Sequence, residues 1–274
     1  MNNLKTAVLL AALSGLLIAV GGAIGGAGGA FTFFLISLAM NAGSYWFSAD
    51  IVLRTSGAHE IAREQDPALF DMVAEVARRA GMPAPRVYAI DSMQPNAFAT
   101  GRSPKHAAVA VTTGIRQMLS DRELFAVLGH EISHVKNRDI LINSIVAAAA
   151  SAISMLGWMG MFMGGGRDRE GNGGGLLAVI LAPVAATLIQ LGISRSREFE
   201  ADADGARVSG DPEALASALQ RIEMGARRVP MAVPQSTAHL FIVNPFAGLS
   251  ARNLFSTHPP TEERVARLHR LARQ

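Results

Sequence analysis

Cysteine is absent from the 274 residues. No disulfide can hold the fold, no thiol can act as a nucleophile, and any metal must be bound by His, Asp or Glu. Charge is also sparse. Charged residues make up 17% of the chain, against about 25% in a typical soluble domain. The formal net charge is only +3, with two Trp and two Tyr and no basic cluster interleaved with aromatics, so nucleic acid is not an expected partner. No Walker A phosphate loop is present, which leaves no motif for using ATP. Apolar residues are what the chain has in quantity, at 50% of the total with a mean hydropathy of +0.26.

The apolar residues are gathered into runs. Residues 6–49 carry no charge, and a bilayer crossing takes about 20 apolar residues. The run therefore holds two spans, joined by the glycine-rich "GGAIGGAGGA" at 21–30. A cleaved signal peptide fits the opening Lys5 and apolar run, but the stretch is too long and a second span follows at once. Residues 140–166 and 171–194 are two further uncharged runs, separated by the short "RDRE". Lys5, Arg54, Arg195 and Arg197 flank the runs on one side, so the positive-inside rule puts both termini and the polar segments in the cytoplasm.

The expected fold is an α+β membrane protein. Four transmembrane helices in two hairpins carry a mainly helical, zincin-like cytosolic catalytic domain with a small β-sheet. Residues 1–53 form the first hairpin, and 54–139 the first part of the catalytic domain. Residues 140–194 form the second hairpin, and 195–274 the second part. Asp66, Pro67 and Gly81 mark the start and stop of one helix. Strands are expected at 86–90, 97–100 and 107–114. Helices are expected from about Asp121, over "REFEADADGARVSG" to Gly210, after Asp211–Pro212, and from Thr261 to the end. Residues 229–256 read as an irregular loop.

One segment carries chemistry: "GHEISH", residues 129–134. Residues four apart share a helix face, so His130 and His134 can reach one metal ion. Glu131 stands one position on, close enough to take a proton from water polarised by that ion. By residue frequency, HExxH arises by chance in roughly one chain in a few hundred of this length. The chain holds its own control: His59 and Glu60 are followed by Arg63 where a second histidine is needed. A catalytic zinc needs a third protein ligand and an open position. The remaining histidines show no ligand spacing, whereas the acidic run "REFEADADG" follows the last apolar run. One hairpin separates it from the HExxH helix, so both return to the same membrane surface. Glu198 can bind the metal there, and Asp202, four residues on, can hold a ligand histidine.

These residues resemble the HtpX membrane metalloproteases, kin of the CAAX prenyl endopeptidases. The resemblance lies in "HEISH", a following membrane hairpin and "SRSREFEADADGA", together with "NAFATG" at 96–101 and "THPPTEERVARL" at 257–268. It implies a multi-pass inner-membrane zinc endopeptidase whose active site faces the cytoplasm. It implies one Zn2+ held by His130, His134 and Glu198, with Glu131 as base and Asp202 behind a ligand. Asn96, Ala97 and Phe98 correspond to an edge strand that pairs with extended substrate. His258 and Arg264 correspond to stabilisers of the oxyanion. The implied role is ATP-independent quality control, with misfolded or damaged membrane proteins as substrates and the lipid bilayer as a partner. Two rival readings are an intramembrane protease and a non-catalytic zinc-binding scaffold. Charges flanking the motif, Asp121 to Glu123 and Lys136 to Asp139, oppose the first, because charge within a bilayer is expensive.

Overall fold

The computed structural model describes residues 2–143, 145, 195–228, 242 and 259–274. Helix α1 (Asn2–Thr55) breaks at Gly25 and Gly26, where the backbone leaves helical geometry. Gly26 has φ 60° and ψ −147°, a conformation open essentially to glycine alone. The two arms fold back on each other. Asn41 Nδ2 donates to Ser14 Oγ at 2.8 Å across 27 residues, a separation of about 40 Å in a straight helix. The expected turn within 21–30 is therefore at Gly25–Gly26.

Gly25–Gly43 is the one stretch among the described residues long and apolar enough to cross a membrane, and hardly any of it is buried. Leu10–Ala19 on the other arm is a shorter apolar segment. Apart from residues 140–143 and 145, the third and fourth expected spans lie outside the described residues.

The end of α1 is anchored in the rest of the protein. After β1 (Ala58–Glu60), helix α2 (Pro67–Ala80) starts at Asp66, whose side chain accepts from the Leu69 amide, and stops at Gly81 with φ 71°. Then come β2 (Arg86–Ile90), β3 (Ala97–Gly101) and β4 (Ala107–Thr112). The sheet order is β1-β2-β4-β3, with β2 parallel to β4 and the other pairs antiparallel. Alternation along the strands gives the sheet two apolar faces. Tyr88, Ile90, Phe98, Ala108 and Ala110 pack on Val52 and Leu53 of α1. Val87, Ala97, Ala99, Val109 and Val111 face the helical core.

One local expectation changes. The strand expected over 107–114 ends at Thr112, whose side chain accepts from the Ile115 amide and caps the short α3 (Thr113–Met118). His59 and Glu60 lie in β1, where helical spacing has no meaning.

Helix α4 (Asp121–Lys136) is the centre of the core. It begins at a Ser120–Glu123 capping box and packs against α2, β3, α5 (Arg195–Ser209) and α6 (Pro212–Arg228). Glu123 also accepts from Ser217 and Arg221 of α6, which fixes the start of α4. Helix α7 (Thr261–Leu271) lies on α6 and α5.

Candidate active site

The HExxH residues sit in the buried middle of α4, and α5 crosses them closely. A Cβ on Gly205 would lie 2.7 Å from the His130 nitrogen, so only glycine permits this approach. The crossing brings Glu198 to the two histidines. His130 Nε2 and His134 Nε2 are 3.2 Å apart. Glu198 reaches them at 3.8 Å and 3.5 Å. All three residues are buried, and their facing atoms lie within 4.8 Å of one another.

Each imidazole is held from behind by a carboxylate. Asp202 Oδ1 lies 3.0 Å from His130 Nδ1, and Asp139 Oδ2 lies 3.1 Å from His134 Nδ1. Those contacts put a carboxylate acceptor at each Nδ1 and turn both Nε2 atoms inward, towards each other and Glu198. Asp202 is itself gripped by Arg264, with Nε at 2.8 Å and Nη2 at 2.7 Å. Burial favours the neutral acid, but Arg264 and His130 overcome it and hold Asp202 far below the usual carboxylate range.

Glu131 lies on the same stretch of helix, 4% exposed. Its Oε2 accepts from the backbone N–H of Ala99, at 2.9 Å, in β3. Burial pushes its carboxyl up to about 7, with His134 pulling the other way and Glu198 reinforcing. For His134, burial disfavours the charged ring, yet Glu198, Asp139 and Glu131 outweigh it and lift it to about 9. His130 moves down, chiefly through burial.

The donor set suits zinc. A tetrahedral ion with ligands at about 2.0–2.1 Å spaces its ligand atoms roughly 3.3–3.4 Å apart, and the facing atoms here stand 3.2, 3.5 and 3.8 Å apart. Two imidazole nitrogens and one carboxylate are a common catalytic zinc set.

Residues 63–272 match the domain of Peptidase family M48. The chain belongs to Peptidase family M48. It is 52% identical, over 279 aligned positions, to protease HtpX homologs of Burkholderia thailandensis and Burkholderia mallei, covering 99% of this chain and 98% of theirs. Ste24p of S. mikatae is similar in fold, with a TM-score of 0.51 at 18% identity, over 97% of this chain and 65% of Ste24p. As a member of family M48 with this cluster, the chain is a metalloprotease.

Within this M48 fold, the remaining expected site residues fall as follows. Asn96 precedes β3, which is an edge strand of the sheet. Its main-chain carbonyl accepts from Thr112 of β4, so strand alternation turns the backbone of Ala97 and Ala99 outward. The Phe98 side chain is 0% exposed and belongs to the core on α1. Arg264 is 1% exposed. Its guanidinium faces Asp202 and the Ile242 carbonyl, behind His130 on the Nδ1 side. His258 lies outside the described residues. Two residues at the site, Ala99 and Asp139, carry no signal in the sequence. The first acts through its main chain, which no side-chain motif reports. The second follows a helix end that spacing alone does not place.

Proposed function

We propose that this chain is a zinc endopeptidase that hydrolyses peptide bonds of membrane proteins at the cytosolic membrane face. The observation that carries the reading is the inward convergence of His130, His134 and Glu198 beside a buried Glu131. These three would hold the zinc, which lowers the pKa of bound water to about 7 and polarises the scissile carbonyl. Glu131 is the base: it takes the proton from the attacking water and hands it to the departing amine. The Ala99 N–H holds the carboxylate in place at one oxygen and leaves the other to work. Asp202 orients His130, and Arg264 orients Asp202. Arg264 is thus a positioning residue, with its donors turned to Asp202 and Ile242 and not to a reacting carbonyl.

An extended substrate would lie along β3. The outward backbone of Ala97 and the outward carbonyl of Ala99, whose N–H is taken by Glu131, give sequence-tolerant hydrogen bonds, as quality control of varied misfolded or damaged proteins requires. Phe98 fixes the strand to α1 through its buried ring. The bilayer reading is supported by α1, where Phe31, Phe34, Leu35, Ile36 and Leu38 are exposed along one arm. Tyr45 and Trp46 follow, also exposed, where interfacial aromatics belong. The inner-membrane location, four spans, cytosolic site and division at 53, 139 and 194 are part of the same proposal.

The test is cleavage of a misfolded membrane protein in proteoliposomes by metal-stripped protein, before and after zinc is returned, with and without ATP. Cleavage restored by zinc and indifferent to ATP supports the reading. Cleavage untouched by stripping contradicts it. Zinc that binds and stabilises without any cleavage favours the non-catalytic scaffold.

A further inference from the structure

Helix α4 ends at Lys136, and the chain is helical again from residue 139. Between them, Arg138 has φ 59°, the left-handed region that L-residues with a side chain avoid. The turn is closed by the Asn137 N–H to the Ser133 carbonyl at 2.9 Å and the Arg138 N–H to the Val135 carbonyl at 3.1 Å. Had α4 continued, Asp139 would stand five residues beyond His134, about 140° around the helix and facing away. The turn brings it back against the His134 ring instead, 2% exposed.

We propose that Asp139 is a positioning residue of the zinc centre, latching His134 with one oxygen and the start of α5 with the other. The inference rests on the reading of His130, His134 and Glu198 as zinc ligands. Oδ2 lies 3.1 Å from His134 Nδ1. Oδ1 lies 3.6 Å from Arg197 Nη1, an ion pair too long for a hydrogen bond. Arg197 immediately precedes Glu198, whose Oε1 is 3.5 Å from His134 Nε2. The contacts therefore close a ring: Asp139 to His134, His134 to Glu198, and Arg197 back to Asp139. Two of the three proposed ligands are set by one carboxylate.

The chemistry follows from where the charge lies. An anionic acceptor on Nδ1–H fixes the ring's tautomer and orientation, and it makes Nε2 a better donor to a metal. Asp202 does this for His130 from α5. Asp139 does it for His134 from the opposite flank. Asp139 also stands at the entrance of the stretch 140–194 and Arg197 just past its exit, so the latch joins both ends of that stretch beside the ligands.

The test uses the full chain in detergent, with Asp139→Ala, Asp139→Asn and His134→Ala beside the parent. Zinc affinity is read by chelator competition, and ligand geometry by the visible absorption of the cobalt-loaded protein. The expected result for Asp139→Ala is a ten- to hundredfold weaker zinc affinity and an altered cobalt band. Asp139→Asn keeps an acceptor but loses the charge, so its fall is smaller and in the same direction. If Asp139→Ala does not fold, Asp139→Asn decides. Parent-like affinity and an unchanged cobalt band in the Asp139 variants overturn the proposal, even if their unfolding temperature drops. If instead His134→Ala binds zinc as the parent does, the ligand assignment itself fails and takes this inference with it.

Discussion

Gly205 of α5 lies against the backbone of His130, so close that a Cβ there would sit 2.7 Å from its nitrogen and 2.8 Å from its Cα. The partner atoms are main chain and cannot swing aside. Gly205→Ala therefore has to push α5 off α4 and carry Glu198 away from both histidines. Overpacking of this kind costs roughly 1–3 kcal/mol. The expected outcome is a lower unfolding temperature together with weaker zinc retention. A variant that loses stability but keeps parental zinc affinity would show that the crossing does not set the ligand.

Asp202 and Arg264 are buried together, 2% and 1% exposed, with two hydrogen bonds between them. Removing one partner leaves the other charged and unpaired, at about 3–5 kcal/mol. Asp202→Ala should be strongly destabilising, and Arg264→Met likewise. The double variant should lose much less than the sum of the two, because no buried charge is left behind. Chemical unfolding of all three measures this. The pH dependence has a definite sign. The native pKa of Asp202 is depressed, so the pair's contribution is complete above the unfolded value of about 3.9. It fades only as the pH falls through the lower native value. Between pH 7 and 5 this pair should produce no loss of stability.

His134 behaves oppositely in the metal-free protein. Its raised pKa of about 9 leaves it protonated at neutral pH, and a ligand nitrogen must give up that proton. Zinc binding at pH 7 should therefore release about one proton. Apparent affinity should rise about tenfold per pH unit from 7 towards 9 and then level off. Calorimetry in buffers of different ionisation heat counts the proton directly. Affinity that is flat across this range would contradict a charged His134.

Much of this site is legible in the chain because it is written in local spacing. His130 and His134 are four apart on α4, as Glu198 and Asp202 are on α5, and helical geometry turns each spacing into a shared face. The helix signals at Asp66, Pro67 and Gly81 work for the same reason. The features that escape are non-local. Arg264 meets Asp202 across 62 residues, and nothing in its own helix indicates which neighbour it faces. Ala99 serves through its backbone. Residues 113 and 114 read as strand because they follow β-branched residues, but the Thr112 cap on Ile115 starts a helix first. Strand β1 has three residues, too few to show a period. In the apolar arms the glycine run marked the turn, while the left-handed Gly26 located it.

If Glu131 is the base at a zinc held by its neighbours, its amide should stop cleavage without releasing the metal. The most direct measurement is peptide cleavage by the zinc-loaded parent and by Glu131→Gln in detergent, with zinc content measured on the same samples. The expected result is equal zinc content and a cleavage rate at least a hundredfold lower in the variant, from loss of a positioned general base. A variant that holds zinc and cleaves like the parent would contradict it.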